Sequence, residues 1–520
     1  MNGSQAIVHT LLARSIDVCF ANPGTSEMHF VAALDANPGM RCVLGLFEGV
    51  VTGAADGYYR MADKPAVTLL HLGPGLSNGL ANLHNARRAA SGVVNIVGQH
   101  ALDHIANDSP LTSDIEGLAR PVSDWVHTTT SADEAPGDVA VAVVQASARP
   151  GRVATLILPA DTAWGDCTTV PSTEPVEHGM PGIDSKRVDV VARMLREAAD
   201  PGSIVLLLGG HGMRAKASTW AGRIAAHTGC RLLGEIKSSR VERGLGRVNI
   251  PQIPYPIDQA LSTLAGVRTV VLVGAIEPSA YFAYPGKPRM LLPDGAQTHV
   301  LADSSDDIEG YLHALAEALG AQAAMPALSS KQDLVSGLPS GKPTVDTIGN
   351  VIAACLPEGA IVVDEAITSG RRLHDLSAYS PPHDWLENPG GSIGYALPVA
   401  IGAALAAPDR KVLAVVGDGS AMFTLQALWT LAREGLDVTV VICSNRSYRI
   451  LYGELGNVGA PKPGPNAERM LTLDGPGLDW PALAKGHGVS GCRVETLELF
   501  HTALRNAFSS GGPSLIELCM

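Results

Sequence analysis

The chain has 520 residues and a formal net charge of −13. That length provides for roughly two to four domains with ample core, and the acidic balance argues against nucleic acid and anionic membrane surfaces as partners. Apolar residues make up 46% of it, too many for a disordered chain. Its eight cysteines are scattered without a CxxC pair or a Cys/His cluster, which excludes a zinc knuckle and a disulfide frame and suits a reducing compartment. No apolar run approaches the ~20 residues of a membrane helix, and Met1 to Arg14 lacks a basic-then-apolar leader, so a cytoplasmic enzyme is expected.

In chain order, Ser4 to Arg14 has the spacing of an amphipathic helix and Val18 to Ala21 that of a short strand. The strand runs into Asn22-Pro23-Gly24-Thr25-Ser26-Glu27, a loop leading to a helix from about Met28. Val43 to Phe47 reads as a second strand that delivers Glu48, and EGVVTGAADGYYRMADKP as a small-residue helix ending before Pro65. Ala66 to Leu70 follows as a strand, His71-Leu72-Gly73-Pro74-Gly75 as a loop, a helix through Arg88, and Val93 to Val97 as a strand.

Gly165 to Lys186, rich in Pro, Thr and Gly, reads as a linker, and so does Gln322 to Lys342. Between them Val188 to Glu197 is a helix, with strands at Ser203–Leu208, Arg268–Val273 and Thr298–Ala302. The turn Gly209-Gly210-His211-Gly212 has the composition of a phosphate nest, but a plain tight turn is the better reading.

The last third centres on Lys411 to Asn445. Val412 to Val416 is a buried strand, Gly417-Asp418-Gly419-Ser420 turns at its carboxyl end, a helix follows, and Val438 to Cys443 is the next strand. Open α/β sheets bind ligands at such strand ends, and a helix start there is a seat for phosphate. Asp418 and Asn445 would project from two strand tops into one crevice, offering oxygen ligands that suit magnesium held mainly by a diphosphate. A shift of 347 positions lays Ala66–Leu70 on Leu413–Gly417, His71 on Asp418, and Gly98 on Asn445. The first and last thirds therefore read as sister α/β domains. The expected architecture is two related doubly wound parallel-sheet domains, 1–165 and 343–520, flanking a smaller central α/β domain at 187–321.

Gly417-Asp418-Gly419-Ser420 with Asn445, the glutamate of LFEGVVTGAADGYYR, NPGGSIGYALPVAIGAALA, NPGTSE and LLHLGPG together resemble the thiamine-diphosphate enzymes that include acetohydroxyacid synthases and benzoylformate decarboxylase. The resemblance covers almost the whole chain. It implies thiamine diphosphate and Mg²⁺ as cofactors and a 2-oxo acid as the small-molecule substrate. The implied reaction is decarboxylation with release of an aldehyde, or joining of the bound fragment to a second carbonyl. It implies that Glu48 bonds the aminopyrimidine, that the Gly391 carbonyl accepts from its amino group, and that Ile393 bends the cofactor. Thr368, Ser369, Gly419 and Ser420 would face the diphosphate. Asp418, Asn445 and the Ser447 carbonyl would hold the metal. His71 matches a proton-transferring histidine of benzoylformate decarboxylase, and Thr25 stands where that enzyme has a serine. The sites of this family lie between subunits, so a homodimer or homotetramer is implied.

Some residues depart from the pattern. SAYFAYPGKP (279–288) lacks the decarboxylase's second histidine, and Arg446 stands where the family has glycine. Leu451, Tyr452 and Glu454 are implied along the pocket, Glu454 putting a carboxylate in place of an aromatic wall. The middle segment is short for a flavin site, so FAD is not expected. The other function class is a catalytically silent copy serving as a binding or regulatory subunit, or a transferase or lyase of the same family. Intact Glu48, Asp418, Asn445 and Ile393 favour catalysis.

Overall fold

A computed structural model describes residues 1–169, 179–330, 337–460 and 462–520. Both expected linkers fall partly on positions outside that set. Within it, three sheets organise the chain.

The first sheet is built from β1 (Val18–Asn22), β2 (Arg41–Leu44), β3 (Ala66–Leu70), β4 (Val93–Gln99), β5 (Trp125–Thr128) and β6 (Val153–Pro159), in the order β2-β1-β3-β4-β6-β5. Its strands are parallel throughout. β3 and β4 are buried along their whole length, as their unbroken apolar runs require when helices cover both faces. The second sheet uses β7 (Ile204–Leu208), β8 (Arg231–Gly234), β10 (Thr269–Val273) and β11 (Gln297–Ala302), ordered β11-β10-β7-β8. Between β8 and β10 in the chain, β9 (Val241–Arg243) leaves that sheet and pairs antiparallel with β13 of the third.

The third sheet comprises β12 (Ile361–Glu365), β13 (His383–Leu386), β14 (Val412–Gly417), β15 (Val438–Ser444), β16 (Ser490–Val494) and β17 (Ser514–Cys519), with β9 at its edge. Its order, β16-β17-β15-β14-β12-β13-β9, repeats that of the first sheet once β12 to β17 are matched with β1 to β6. The sister relation read from the 347-residue shift therefore holds at the level of topology: β3 corresponds to β14 and β4 to β15. The register differs by one residue. Ala66 pairs with Val93, whereas Leu413 pairs with Thr439. Gly98 consequently remains inside β4 while Asn445 lies beyond β15, so these two positions are not equivalent.

In both sheets the chain order reverses between the first and third strands, and crevices open at the carboxyl ends of such strand pairs. The two sheets join back to back through the helices Glu48–Ala62 and Ala396–Ala406, whose apolar residues share one core with both sheets. A Cβ on Gly402 would lie 1.9 Å from the Ala54 carbonyl oxygen, so the helix contact needs a residue without one.

Two expectations change, and the preferred reading of a third segment, the tight turn at Gly209–Gly212, holds. The residues 72–75 belong to the helix Leu72–Arg88 rather than to a loop, because a proline in the first turn lacks only an N–H that has no helical acceptor. The single helix expected after Gly417 is three short pieces, Asp418–Ala421, Met422–Thr424 and Ala427–Glu434. Thr424 Oγ1 bonds the Gly394 carbonyl at 2.9 Å and draws the middle piece onto a neighbouring loop. The Gly209–Gly212 turn is a 3₁₀ turn whose Gly210 N–H donates to Glu235 Oε1 at 3.3 Å, so a side chain fills the nest. Burial pushes that carboxyl up to about 7.

Candidate active site

The first crevice lies where β1 and β3 end. Beyond β1, Thr25–Glu27 form a 3₁₀ turn that places Glu27 inside and Thr25 outside. Glu27 Oε2 accepts from the Gly24 N–H at 2.7 Å and lies 2.8 Å from His71 Nδ1. A carboxylate can only accept, so Nδ1 carries the proton and Nε2 is left as the free ring nitrogen. Ser26 Oγ lies 3.5 Å from the same Nδ1, so Ser26 rather than Thr25 borders the imidazole. Room for the pair comes from glycine: a Cβ on Gly98 would lie 1.7 Å from Glu27 Oε1, and one on Gly24 2.3 Å from the His71 ring.

Glu48 begins its helix and is 8% exposed. Asn78 Nδ2 donates to Glu48 Oε2 at 2.9 Å. Glu27 closes the NPGTSE stretch but is not singled out there as a site residue, and Asn78 lies in none of the motifs. Each becomes visible only when a segment some 30 or 44 positions away is folded against it.

The second crevice lies where β12 and β14 end. Asp418 is 2% exposed, and among the described residues its carboxylate meets only backbone amides, Oδ1 accepting from Gly419 N at 2.9 Å and Oδ2 from Arg446 N at 2.6 Å. Burial pushes this carboxyl up to about 6, the mark of a buried anion with no cation beside it. Asn445 Oδ1 accepts from the N–H and the hydroxyl of Ser447 at 3.0 and 3.1 Å, and Asn445 Nδ2 donates to Ser369 Oγ at 3.4 Å. Among the described residues no group of three or more His, Cys, Asp or Glu side chains could hold a metal. The donors that fit a divalent cation are one carboxylate, one side-chain amide and a backbone carbonyl, a hard oxygen set. Arg446 has φ 55°, which explains why glycine is usual there: the chain must turn left-handed to aim its N–H at Asp418. Ser420 is buried and Thr368 half-buried beside these groups.

Gly391 and Ile393 sit in a loop held from several sides. Gly391 has φ 75° and donates its N–H to Asn388 Oδ1 at 3.1 Å. The Ser392 carbonyl accepts from Asn85 at 2.9 Å and Asn388 at 2.7 Å, and Gly394 O accepts from Thr424 and, at 3.3 Å, from Asn82. Glu365, at the end of β12, takes the N–H groups of Gly394 at 2.6 Å and Ala396 at 2.9 Å. Its carboxyl is pushed up to about 7 by burial. The backbone on both sides of Ile393 is thus held by hydrogen bonds to its neighbours.

Of the implied pocket residues, Glu454 accepts from Tyr284, whereas the Tyr452 hydroxyl donates to Glu468 at 2.8 Å.

A model of the N-terminal thiamine pyrophosphate binding domain matches residues 1–118, and one of the C-terminal binding domain matches residues 368–518. A Mycobacterium tuberculosis protein, IlvX, named provisionally as an acetolactate synthase large subunit, is 47% identical over 519 residues, covering 100% of this chain and 99% of that one. The chain belongs to the thiamine pyrophosphate enzyme family. Within it, benzoylformate decarboxylase of Pseudomonas aeruginosa is 28% identical over 98% of this chain and 97% of its own. In fold the chain resembles a thiamine diphosphate-dependent 4-hydroxybenzoylformate decarboxylase of Rhodococcus jostii, with TM-score 0.84 and 23% identity over 100% and 99% of the two chains. It is a thiamine pyrophosphate-dependent enzyme of the acetolactate synthase and benzoylformate decarboxylase group. Among the described residues no helix is long and apolar enough to cross a membrane.

Proposed function

We propose that this protein decarboxylates a 2-oxo acid without oxidation, using thiamine diphosphate and Mg²⁺, and either releases an aldehyde or joins the bound fragment to a second carbonyl. The observation that carries this reading is the pair Glu27–His71 at a strand end beside Glu48, a proton-handling set that mere cofactor binding does not need. When bound, the cofactor supplies the carbanion nucleophile and the electron sink for loss of carbon dioxide.

The chain's own residues do the rest. Asp418, Asn445 and the Ser447 carbonyl hold the metal, while Thr368, Ser369, Gly419 and Ser420 face the diphosphate. Ile393 and the Gly391 carbonyl, in the loop held by Asn85, Asn388 and Glu365, would respectively pack against the cofactor and accept from its amino group. Glu48, with Oε2 occupied by Asn78, has Oε1 to share a proton with a pyrimidine ring nitrogen. His71 moves a proton at Nε2, and the Ser26 hydroxyl, on the turn beyond β1 that also carries Thr25, borders the imidazole and is placed to meet the substrate carboxylate.

Exposed apolar side chains support a site shared between two copies. Ile367, Met422, Phe423 and Leu451 stand exposed around the second crevice, and Met28 and Leu46 near the first. Covering them with the sister half of a second chain would bring Glu48 of one copy to Asp418 of the other. Carbon dioxide and aldehyde release from a panel of 2-oxo acids, with both cofactors added, tests the proposal. Release from at least one acid is expected, and bound cofactor with no release from any acid would overturn it.

A further inference from the structure

Three tyrosines and one carboxylate of the middle and last segments form a continuous rim that starts at Gly391. Tyr281 Cε1 lies 3.7 Å from where a Cβ on Gly391 would be. The Tyr281 and Tyr255 rings are 5.2 Å apart between centroids, and the Tyr255 and Tyr284 side chains lie close to each other. The Tyr284 hydroxyl donates to Glu454 Oε2, and Asn457 Nδ2 donates to the same oxygen at 3.1 Å. Among the described residues Glu454 Oε1 has no hydrogen-bond partner. One oxygen is anchored twice and the other is left open.

The position of this oxygen follows from the helix that carries it. Arg449–Asn457 begins two residues after Ser447 in the metal loop, so Glu454 stands roughly 8 Å further along the axis. Leu451, three residues earlier on the same face, is 41% exposed. A group reaching from the reacting centre past Gly391 and Tyr281 would meet apolar rings first and an acceptor at the far end.

We infer that Glu454 Oε1 receives a hydrogen-bond donor at the distal end of the substrate side chain, so the preferred 2-oxo acids end in a hydroxyl or an ammonium group rather than in a hydrocarbon. This rests on the reading proposed above and names the substrate class for it. The Tyr284 and Asn457 bonds position the carboxylate, while Glu454 itself makes the contact.

The test uses the full-length protein loaded with thiamine diphosphate and Mg²⁺. The probes are four phenylglyoxylates carrying hydrogen, methyl, hydroxyl or aminomethyl in the para position. At least one donor-bearing acid should show kcat/KM about tenfold or more above the methyl compound, and Glu454→Leu should abolish that margin. Glu454→Gln separates the two donors: it keeps the preference for a hydroxyl and loses that for an ammonium. A methyl compound used equally well, or a margin that survives in Glu454→Leu, would overturn the inference while leaving decarboxylation intact. If no acid reacts, the decarboxylation reading fails instead. Titration with the matched unreactive arylphosphonates then decides this one, equal affinity for methyl and donor-bearing compounds being the contrary result.

Discussion

Glu27 and His71, 44 positions apart in sequence, meet at 2.8 Å between Oε2 and Nδ1, and this contact fixes which ring nitrogen can act. His71→Ala should lower kcat by about a hundredfold or more, as loss of a proton-transfer group does. Glu27→Ala should lower it by about tenfold with little change in KM, because the ring remains but is no longer oriented. Gly98→Ala should reproduce the Glu27 effect, since its methyl would collide with the carboxylate. Steady-state kinetics of the three variants checks this, and unchanged kcat in Glu27→Ala would remove the pair from the chemistry.

The Asp418 carboxyl predicts a pH dependence. Its folded value, about 6, lies above the 3.8 of an unfolded aspartate. Below 3.8 both states are protonated and nothing is lost. Between 3.8 and about 6 the unfolded chain ionises first, so stability falls as pH rises. Above that window the metal-free protein carries a cost on the order of 3 kcal/mol. A divalent cation should relieve it, so Mg²⁺ should raise Tm more at pH 7.5 than at pH 4.5. Asp418→Asn should flatten the metal-free slope and abolish the Mg²⁺ response. Thermal melts across pH with and without the metal measure both.

A shared site predicts complementation. Glu48→Gln and Asp418→Ala should each be inactive alone. A mixture unfolded and refolded together would contain hybrids with one intact site in two, so activity should return to about a quarter of that of the unaltered protein. No recovery, despite mixed assembly by mass, would place each site within one chain.

The strands that were expected are short apolar runs bounded by glycine, proline and charge, and most of their observed ends lie within one or two residues of the expected ones, whereas β5, β6, β8, β13 and β16 were not expected. β2 is the clearest displacement. Its expected span ran to Phe47, but Gly45, Leu46 and Phe47 turn the chain and Phe47 becomes the residue preceding the helix. β9 left no sequence signal, since three residues carry no period and its partner β13 lies some 140 positions on. The expected site residues sit at strand ends, where motifs record backbone turns. Their partners were not legible. Asn78, Asn82, Asn85, Asn388 and Glu365 are ordinary polar residues until tertiary contact gives each an atom to hold. Asn82 makes the point: its amide donates to Gly49 at 2.7 Å and to Gly394 at 3.3 Å, joining the segment after Glu48 to the one after Ile393.

The measurement that bears most directly on the whole account is carbon dioxide release from 2-oxo acids by the unaltered protein and by Glu48→Gln, both loaded with thiamine diphosphate and Mg²⁺ and shown to bind them. The account predicts release that requires both cofactors and falls by at least about a hundredfold in Glu48→Gln. Equal release by the two proteins would contradict it.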